Sequence, residues 1–288
     1  MSKVKKAVIP AAGLGTRMLP ISKSVPKEML PIDLKPALQY LIEEAANSGI
    51  EEVLIITALG KEAIEHHFTQ SKIYEEALLK SGKTDLYDQI KDIHKLINIQ
   101  YIFQHEQKGL GHAILCAKSF VGNDPFMCLY GDDMIVSKVP ACRQLIEAYD
   151  KFGKCVAGMK YVPTENIGKF SSLKAEKIKD NFYSVTDMIE KPKKDEMLSN
   201  FSILGRVLLT SDIMDILENT TPGAGGEIQL TDAMKVFART EGMIGVEYEG
   251  TRYDIGNPLS YLIANVDMGL KNKEYGGQFF EYLKSIVK

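Results

Sequence analysis

Paired cysteines are missing from this sequence. Its four, Cys116, Cys128, Cys142 and Cys155, include no C-x-x-C spacing and sit mostly among apolar neighbours, so they read as reduced core residues rather than ligands or disulfides. No apolar stretch approaches the ~18 residues that a transmembrane helix needs. A strong charge of one sign is lacking too. The 35 Lys and Arg against 38 Asp and Glu leave −3, so no global field draws the chain to nucleic acid or to an anionic membrane. A local basic site for a small anion is compatible with that balance. Lys3, Lys5 and Lys6 ahead of AVIPAAGLG faintly resemble a secretory leader, but the apolar run is short, contains Pro10 and ends at Arg17. A cytoplasmic protein is therefore expected, with no nucleic-acid or membrane partner. No Pro/Ser-rich linker and no internal repeat divide the chain.

What is present is ample. The 288 residues, 45% hydrophobic and 25% charged, can bury a sizeable core as one large domain or two small ones. In the first half, Lys6–Ala12, Glu52–Thr57, Ile99–Gln104 and Phe126–Tyr130 are short apolar runs that suit strands buried on both faces of a parallel sheet. Leu38, Leu41, Ile42 and Ala45 mark one face of a helix over Lys35–Ser48, with Gly49 as its C-cap. Gly109–Lys118 and Pro140–Lys151 read as further helices. This alternation predicts an α/β fold with a doubly wound, mostly parallel mixed sheet. Asp85–Lys95 is a charged, helical insertion. Beyond about Cys155 the pattern shifts. Ser171–Lys191 and Phe201–Leu209 read as longer strands, a polar loop carries Gly223, Gly225 and Gly226, and helices are predicted over Ile228–Thr240 and Pro258–Leu270. The halves, about 1–155 and 156–288, are expected to share one sheet as a single domain over 1–288.

Gly13-Leu14-Gly15-Thr16-Arg17 directly follows the first predicted strand. Glycines there let backbone N–H groups approach phosphate oxygens, although a tight turn alone would also explain them. A P-loop would need Gly-Lys-Ser/Thr after its first glycine, and a dinucleotide fingerprint would need a glycine where Met18 stands. Neither is present, and the missing third glycine argues against a nicotinamide dehydrogenase. Arg17, Lys23 and Lys27 follow, interleaved with Pro20, Pro26 and Pro31. Prolines oppose helix, so the segment is expected to be an ordered extended loop holding several cations, the composition of a polyphosphate clamp.

Residues 13–40, GLGTRMLPISKSVPKEMLPIDLKPALQY, resemble the signature of the sugar-1-phosphate nucleotidyltransferases, and the likeness continues in order to about Leu270. The resemblance implies a Rossmann-like nucleotidyltransferase fold with a smaller sugar-binding β region. It also implies that Ala12, Gly13, Gly15, Thr16, Arg17 and Lys27 contact the nucleotide phosphates. Ser22 and Leu34 depart from the family's usual Thr and Asp, and neither change removes a charged phosphate contact.

Phe126–Tyr130 ends at Gly131-Asp132-Asp133, and Asp254 lies in Arg252-Tyr253-Asp254-Ile255-Gly256-Asn257 after another short strand. Carboxylates just past strand C-termini lie where open α/β sheets bind ligands, and Mg²⁺ prefers one or two of them with water and phosphate completing its shell. An isolated Gly-Asp-Asp is as often a turn or a cap. In the resembled family one Asp of each segment holds the metal, which implies Asp132 and Asp254, with Asp133 in the outer shell.

Gln104 ends a predicted strand, and Gly109 opens the next helix. A glutamine presents both donor and acceptor to a base edge, and the resemblance assigns Gln104 and Gly109 to uracil. His112 is expected to be a packed, hydrogen-bonded residue, and His66 and His67 point too far apart on a helix to pair on a metal. Glu190-Lys191-Pro192 ends a long strand. By resemblance Glu190 takes sugar hydroxyls and Lys191 the sugar phosphate, which requires the chain to turn there because strand neighbours face opposite ways. Gly168, Gly205 and Glu227 match further sugar-site positions, although Ile167-Gly168-Lys169 departs from the usual Tyr-Gly-Val. The implied reaction joins UTP and glucose 1-phosphate into UDP-glucose and pyrophosphate with Mg²⁺, in a homodimer or homotetramer, with Arg17, Lys27 and Lys191 catalytic. Alternatives are a thymidylyl- or uridylyltransferase for another hexose 1-phosphate, or a non-catalytic sugar-nucleotide-binding regulator.

Overall fold

The computed structural model describes residues 3–287. Strand β1 (Lys6–Pro10) enters the centre of the molecule and leads into three short 3-10 turns, Thr16–Met18, Ile21–Lys23 and Lys27–Met29. The segment expected to be extended is therefore wound. Pro20 and Pro26 each sit just ahead of a turn, where no amide donor is needed, and their carbonyls accept from Lys23 and Met29. A two-residue ladder, β2 (Pro31–Ile32) with β3 (Lys35–Pro36), precedes helix α1 (Ala37–Asn47).

Strand β4 (Glu52–Thr57) is followed by helices α2 (Glu62–Phe68), α3 (Lys72–Lys80) and α4 (Thr84–Ile90), then by β5 (Asn98–Phe103). The 85–95 insertion is thus helical, as expected, and ends in a 3-10 turn at Ile93–Lys95. Helices α5 (Leu110–Leu115) and α6 (Lys118–Val121) replace the single helix predicted there. They lead to β6 (Phe126–Leu129), β7 (Asp133–Val136), α7 (Ala141–Phe152) and β8 (Val156–Tyr161). The run Ser171–Lys191 is two strands, not one. Strands β9 (Ser171–Lys179) and β10 (Phe182–Glu190) pair antiparallel across a turn at Asp180-Asn181, with Asp180 at φ 54°. Asp and Asn tolerate the left-handed region, and that pair was the available turn signal. Strand β11 (Phe201–Leu209), helices α8 (Ile213–Glu218) and α9 (Leu230–Thr240), strands β12 (Met243–Glu247) and β13 (Thr251–Asp254), and helices α10 (Pro258–Lys271) and α11 (Gly276–Ile286) complete the chain.

Among the described residues, nine strands form one sheet in the order β5-β4-β1-β6-β11-β8-β12-β10-β9. The β5-β4-β1-β6 side is parallel throughout, and the β12–β8 pair is parallel within an otherwise antiparallel second side. Side chains alternate between two cores. Ala7, Ile9, Val53 and Ile55 join α1 and α7 on one face, whereas Val8, Leu54 and Ile56 join α5, α8 and α9 on the other. Burial on both faces explains why these strands are continuous apolar runs. Cys128, Cys142 and Cys155 are buried free thiols and Cys116 is half-buried, as the spacing predicted. Among the described residues no helix is long and apolar enough to cross a membrane.

Candidate active site

The C-terminal ends of β1 and β6 lie side by side, and the loops leaving them build the site. Loop 11–15 leaves β1, and Lys27 folds back so that its aliphatic stem packs against Gly15, whose φ is 67°. Beneath this loop Lys61 donates to the Ala11 carbonyl and, at 2.9 Å, to Glu28, both side chains being buried. That pair ties the start of the glycine loop to the residue next to Lys27. Burial and the loss of water raise the Glu28 pKa, with Lys61 and Lys27 opposing. Nothing in the sequence signalled it, because Lys61 lies 33 positions away.

Strand β13 pairs antiparallel with β7, setting Asp254 opposite Asp133, and the Ile255 N–H donates to the Asp132 carbonyl at 2.8 Å. This ladder brings the two carboxylates from distant segments to one place. Lys27 Nζ lies 2.5 Å from Asp132 Oδ2, and Arg17 lies 3.5 Å from Asp254 Oδ2 and 3.9 Å from Asp132 Oδ2. Burial works against the Lys27 ammonium, but Asp132 and Glu28 outweigh it and hold its pKa above the ordinary value. For Asp132 burial pushes the carboxyl up, and Lys27 and Arg17 overcome it to leave the pKa low. Asp133 faces the other way. It ion-pairs with Arg252 at 2.5 Å and lies against Gly205, and burial first, then the charges of Asp132 and Asp254, push its pKa to about 6.

The carboxylate pair fits a divalent cation on two observations. Asp254 Oδ1 is buried and accepts no hydrogen bond. Gly256 leaves open the space beside the acids: a Cβ there would lie 2.6 Å from Asp132 Oδ2, 2.9 Å from Arg17 Nη2 and 3.2 Å from Asp254 Oδ1. Among the described residues no three His, Cys, Asp or Glu are placed to hold one metal ion together; with two carboxylates, ligand oxygens and water would complete a shell, the pattern Mg²⁺ favours. Gly256→Ala is expected to raise the Mg²⁺ concentration for half-maximal turnover at least tenfold with little change in melting temperature. A metal titration of initial rates checks this, and an unchanged midpoint would remove the acids from metal binding.

A cleft of about 320 Å³ runs from these acids along the glycine loop, lined by Ala12, Gly13, Lys27, Gln104, Gly109 and Glu227 among others. Gln104 is buried, and its amide nitrogen meets His112 Nδ1 at 2.9 Å and the Gly109 carbonyl at 3.3 Å. His112 is thus hydrogen-bonded, and it fixes the orientation of the Gln104 amide. Gly109 has φ 102°, and a Cβ on it would meet Glu227 Cβ at 2.7 Å and the Ile228 carbonyl at 2.8 Å, so only glycine closes this wall. Gln107, unmarked by the sequence, donates to the Ala12 carbonyl at 3.0 Å.

A second hollow of about 110 Å³ shares Leu110 and Tyr130 with the cleft and is lined by Asp133, Glu190, Gln229, Thr231 and Arg252. Thr231 Oγ donates to Glu190 Oε2 at 2.8 Å, a pairing across 41 positions that no local pattern displays. Lys191 turns the chain with φ 47°, so Glu190 and Lys191 need not diverge as strand neighbours would. The Lys191 side chain is exposed and unpaired among the described residues. Gly168 lies apart from both spaces, against the Pro192 carbonyl in an adjoining hollow, and Gly205 backs Asp133. Thr16 is exposed just past the loop, and Lys23 is exposed without a partner among the described residues.

A doubly wound sheet whose glycine loop, cations and paired acids meet at the β1 and β6 ends is the frame of a nucleotide-handling transferase. The profile of the nucleotidyl transferase family matches residues 6–269, and the chain belongs to that family. It is 46% identical over 286 residues to UTP–glucose-1-phosphate uridylyltransferase YngB of Bacillus subtilis, covering 99% of this chain and 96% of that one. It is 45% identical to UTP–glucose-1-phosphate uridylyltransferase 2 of Staphylococcus saprophyticus, covering 99% of each. Among solved structures, UTP-bound UGPase from Acinetobacter baumannii superposes with a TM-score of 0.91 at 33% identity, covering 99% of this chain and 100% of that one. A UDP-glucose pyrophosphorylase complexed with UDP-glucose superposes with a TM-score of 0.86 at 36% identity, covering 93% and 100%.

Proposed function

We propose that this chain transfers the uridylyl group of UTP to α-D-glucose 1-phosphate, releasing pyrophosphate and UDP-glucose. The observation that carries the reading is that the two hollows meet at Leu110 and Tyr130, with Lys27 and Asp132 lining the cleft and Asp133 and Arg252 the second hollow, so that a nucleotide in one would adjoin a sugar phosphate in the other. Gln104 and Gly109 read the uracil, and the 12–16 backbone with Arg17 and Lys27 takes the phosphates. Glu190 and, behind Asp133, Gly205 shape the second hollow as the sugar site, Glu227 lines the adjoining cleft, Gly168 stands outside both, and Lys191 holds the attacking phosphate.

A phosphate oxygen of the sugar attacks the α-phosphorus of UTP, and the bond to the pyrophosphate oxygen breaks in line. That oxygen is already ionised near neutrality, so no protein nucleophile or base is required. Catalysis is positioning plus neutralisation of charge. Arg17 and Lys27 stabilise the departing pyrophosphate while Lys191 aligns the incoming phosphate. Asp132 and Asp254 would hold Mg²⁺, which supplies charge neutralisation at phosphate oxygens when bound. We read residues 1–288 as one domain, working as a homodimer or homotetramer. The free thiols fit a cytoplasmic setting.

The test is pyrophosphate release with Mg²⁺ across UTP, dTTP, ATP and GTP crossed with the 1-phosphates of glucose, galactose and N-acetylglucosamine. Turnover confined to UTP with glucose 1-phosphate is expected. Another productive pair would move the substrate, and silence with retained UDP-glucose binding would leave a binding protein without catalysis. Lys191→Ala should lower kcat about 100-fold, roughly 2.7 kcal/mol, with an unchanged melting curve because the side chain is exposed. Near-wild-type kcat in that variant would remove Lys191 from the reaction.

A further inference from the structure

The second hollow holds a buried donor that nothing in its wall satisfies. Arg252 lines the hollow from β13, and its Nε–H is buried without an acceptor among the described residues. The rest of the guanidinium is held on two sides. Nη2 lies 2.5 Å from Asp133 Oδ1, and the group stands over the Phe170 ring, 5.5 Å from its centroid. The side chain is only 16% exposed, so bulk water does not stand in for the missing acceptor.

A cross-strand ion pair accounts for Arg252 only in part. In the β13–β7 ladder Asp254 sits opposite Asp133 and Arg252 opposite Ile135, so Arg252 and Asp133 are diagonal neighbours. A point charge such as a lysine ammonium would serve that pair, whereas an unpaired buried N–H costs stability and adds nothing to it. An open acceptor lines the same hollow. Glu190 Oε2 accepts from Thr231, and Oε1 has no partner among the described residues. One open donor and one open acceptor match a polyol, because each hydroxyl both gives and takes a hydrogen bond.

We propose that Arg252 is a specificity-determining residue of the sugar site: its Nε–H donates to a hydroxyl oxygen of the hexose, while Glu190 accepts from a neighbouring hydroxyl. Charge selects a hydroxyl over the sugar phosphate. Asp133 already compensates the guanidinium, and its carboxylate would repel a phosphate seated on Nε. The phosphate is left to Lys191, which is exposed and unpaired among the described residues. A sugar lacking the matching hydroxyl strands a buried donor, which is how one such contact discriminates between hexoses. Arg252 acts in this way only if the second hollow holds the sugar, so its role rests on that reading.

Deoxy sugars and a substitution that deletes only this donor test it together. Lysine places a methylene where arginine has Nε and keeps a cation for Asp133, so Arg252→Lys removes the N–H and spares the ion pair. Initial rates of pyrophosphate release with UTP and Mg²⁺ are compared for glucose 1-phosphate and its monodeoxy analogues, in the wild type and the variant. The wild type should lose about 10-fold or more in kcat/KM on at least one analogue. Arg252→Lys should lose a similar factor on glucose 1-phosphate and nothing further on that analogue, because the contact is already gone, whereas on the other analogues the two losses should multiply. A loss by the same factor on every substrate would make Arg252 a structural partner of Asp133 and overturn the proposal. A wild type indifferent to every deoxygenation would overturn it too, whether or not the variant folds. A wild type that makes no sugar nucleotide from glucose 1-phosphate would overturn the substrate reading, and the role of Arg252 with it.

Discussion

Asp132→Asn is expected to lower Mg²⁺-dependent turnover at least 1,000-fold, roughly 4 kcal/mol, while UTP binding persists or tightens. The split follows from the local charges. Asp132 stands within ion-pair distance of Lys27 and Arg17, so replacing its carboxylate by an amide leaves those cations uncompensated beside the phosphate cleft. A polyanion is then held at least as well. The same change removes one of two carboxylates available to a cation, and with it the neutralisation that the transition state needs more than the ground state does. Two readouts separate this role from an architectural one. UTP affinity measured by calorimetry should hold or rise, and Mn²⁺ binding followed by its electron paramagnetic resonance signal should weaken at least tenfold. Loss of UTP binding along with turnover would make Asp132 a structural partner of Lys27. Full activity in the variant, insensitive to chelator, would sink the two-carboxylate centre.

The parts of the molecule legible in the sequence are those whose reason is local. Glu52–Thr57 and Phe201–Leu209 were readable to the residue because burial on both faces makes them mostly apolar runs, the second interrupted only by Ser202, Gly205 and Arg206. Asp132 and Asp254 stood out because each sits where a strand stops. The segment around Lys27 was legible in composition and not in shape, since prolines exclude α-helix but accept a 3-10 turn. The Asp180-Asn181 turn was signalled and overlooked, because the residues on either side keep strand character. Helix α11 was not visible, because its apolar residues belong to a surface rather than to the core of this chain.

Other site contacts were out of reach for a different reason. Lys61 with Glu28, Thr231 with Glu190, and Arg252 with Asp133 join residues 33, 41 and more than a hundred positions apart. Their chemistry is ordinary, and only the fold brings the partners together. Each places a second charge or hydroxyl behind a residue that faces one of the two hollows. The sequence identifies groups able to touch phosphate or sugar, whereas the side chains that orient them depend on strand order.

Glu44→Leu is expected to destabilise the fold by about 3–5 kcal/mol, the usual cost of leaving a buried charge without its partner. At about 2–4 °C per kcal/mol for a chain of this size class, the melting temperature should fall by about 10 °C. Arg206 has no exposed surface, and its guanidinium donates to Glu44 at 3.0 and 2.7 Å and to the Gly205 carbonyl at 2.8 Å. Glu44 Oε1 also accepts from the Cys142 amide at 2.9 Å. Cys142 lies in the first turn of α7, whose preceding residue is Pro140 with no capping side chain, so a carboxylate from α1 satisfies the amide that a local cap would. One ion pair therefore joins α1, α7 and the bulged centre of β11, where Gly205 backs Asp133. Burying two apolar residues in its place cannot restore everything, because the Cys142 N–H and the Gly205 carbonyl lose their side-chain partners. Glu44→Leu/Arg206→Met should thus recover part of the loss and remain below wild type. Thermal unfolding of both variants and the wild type measures it, with urea midpoints as a second scale. A fall below about 1 kcal/mol in Glu44→Leu would mean that water reaches Arg206 and the pair is not a structural tie.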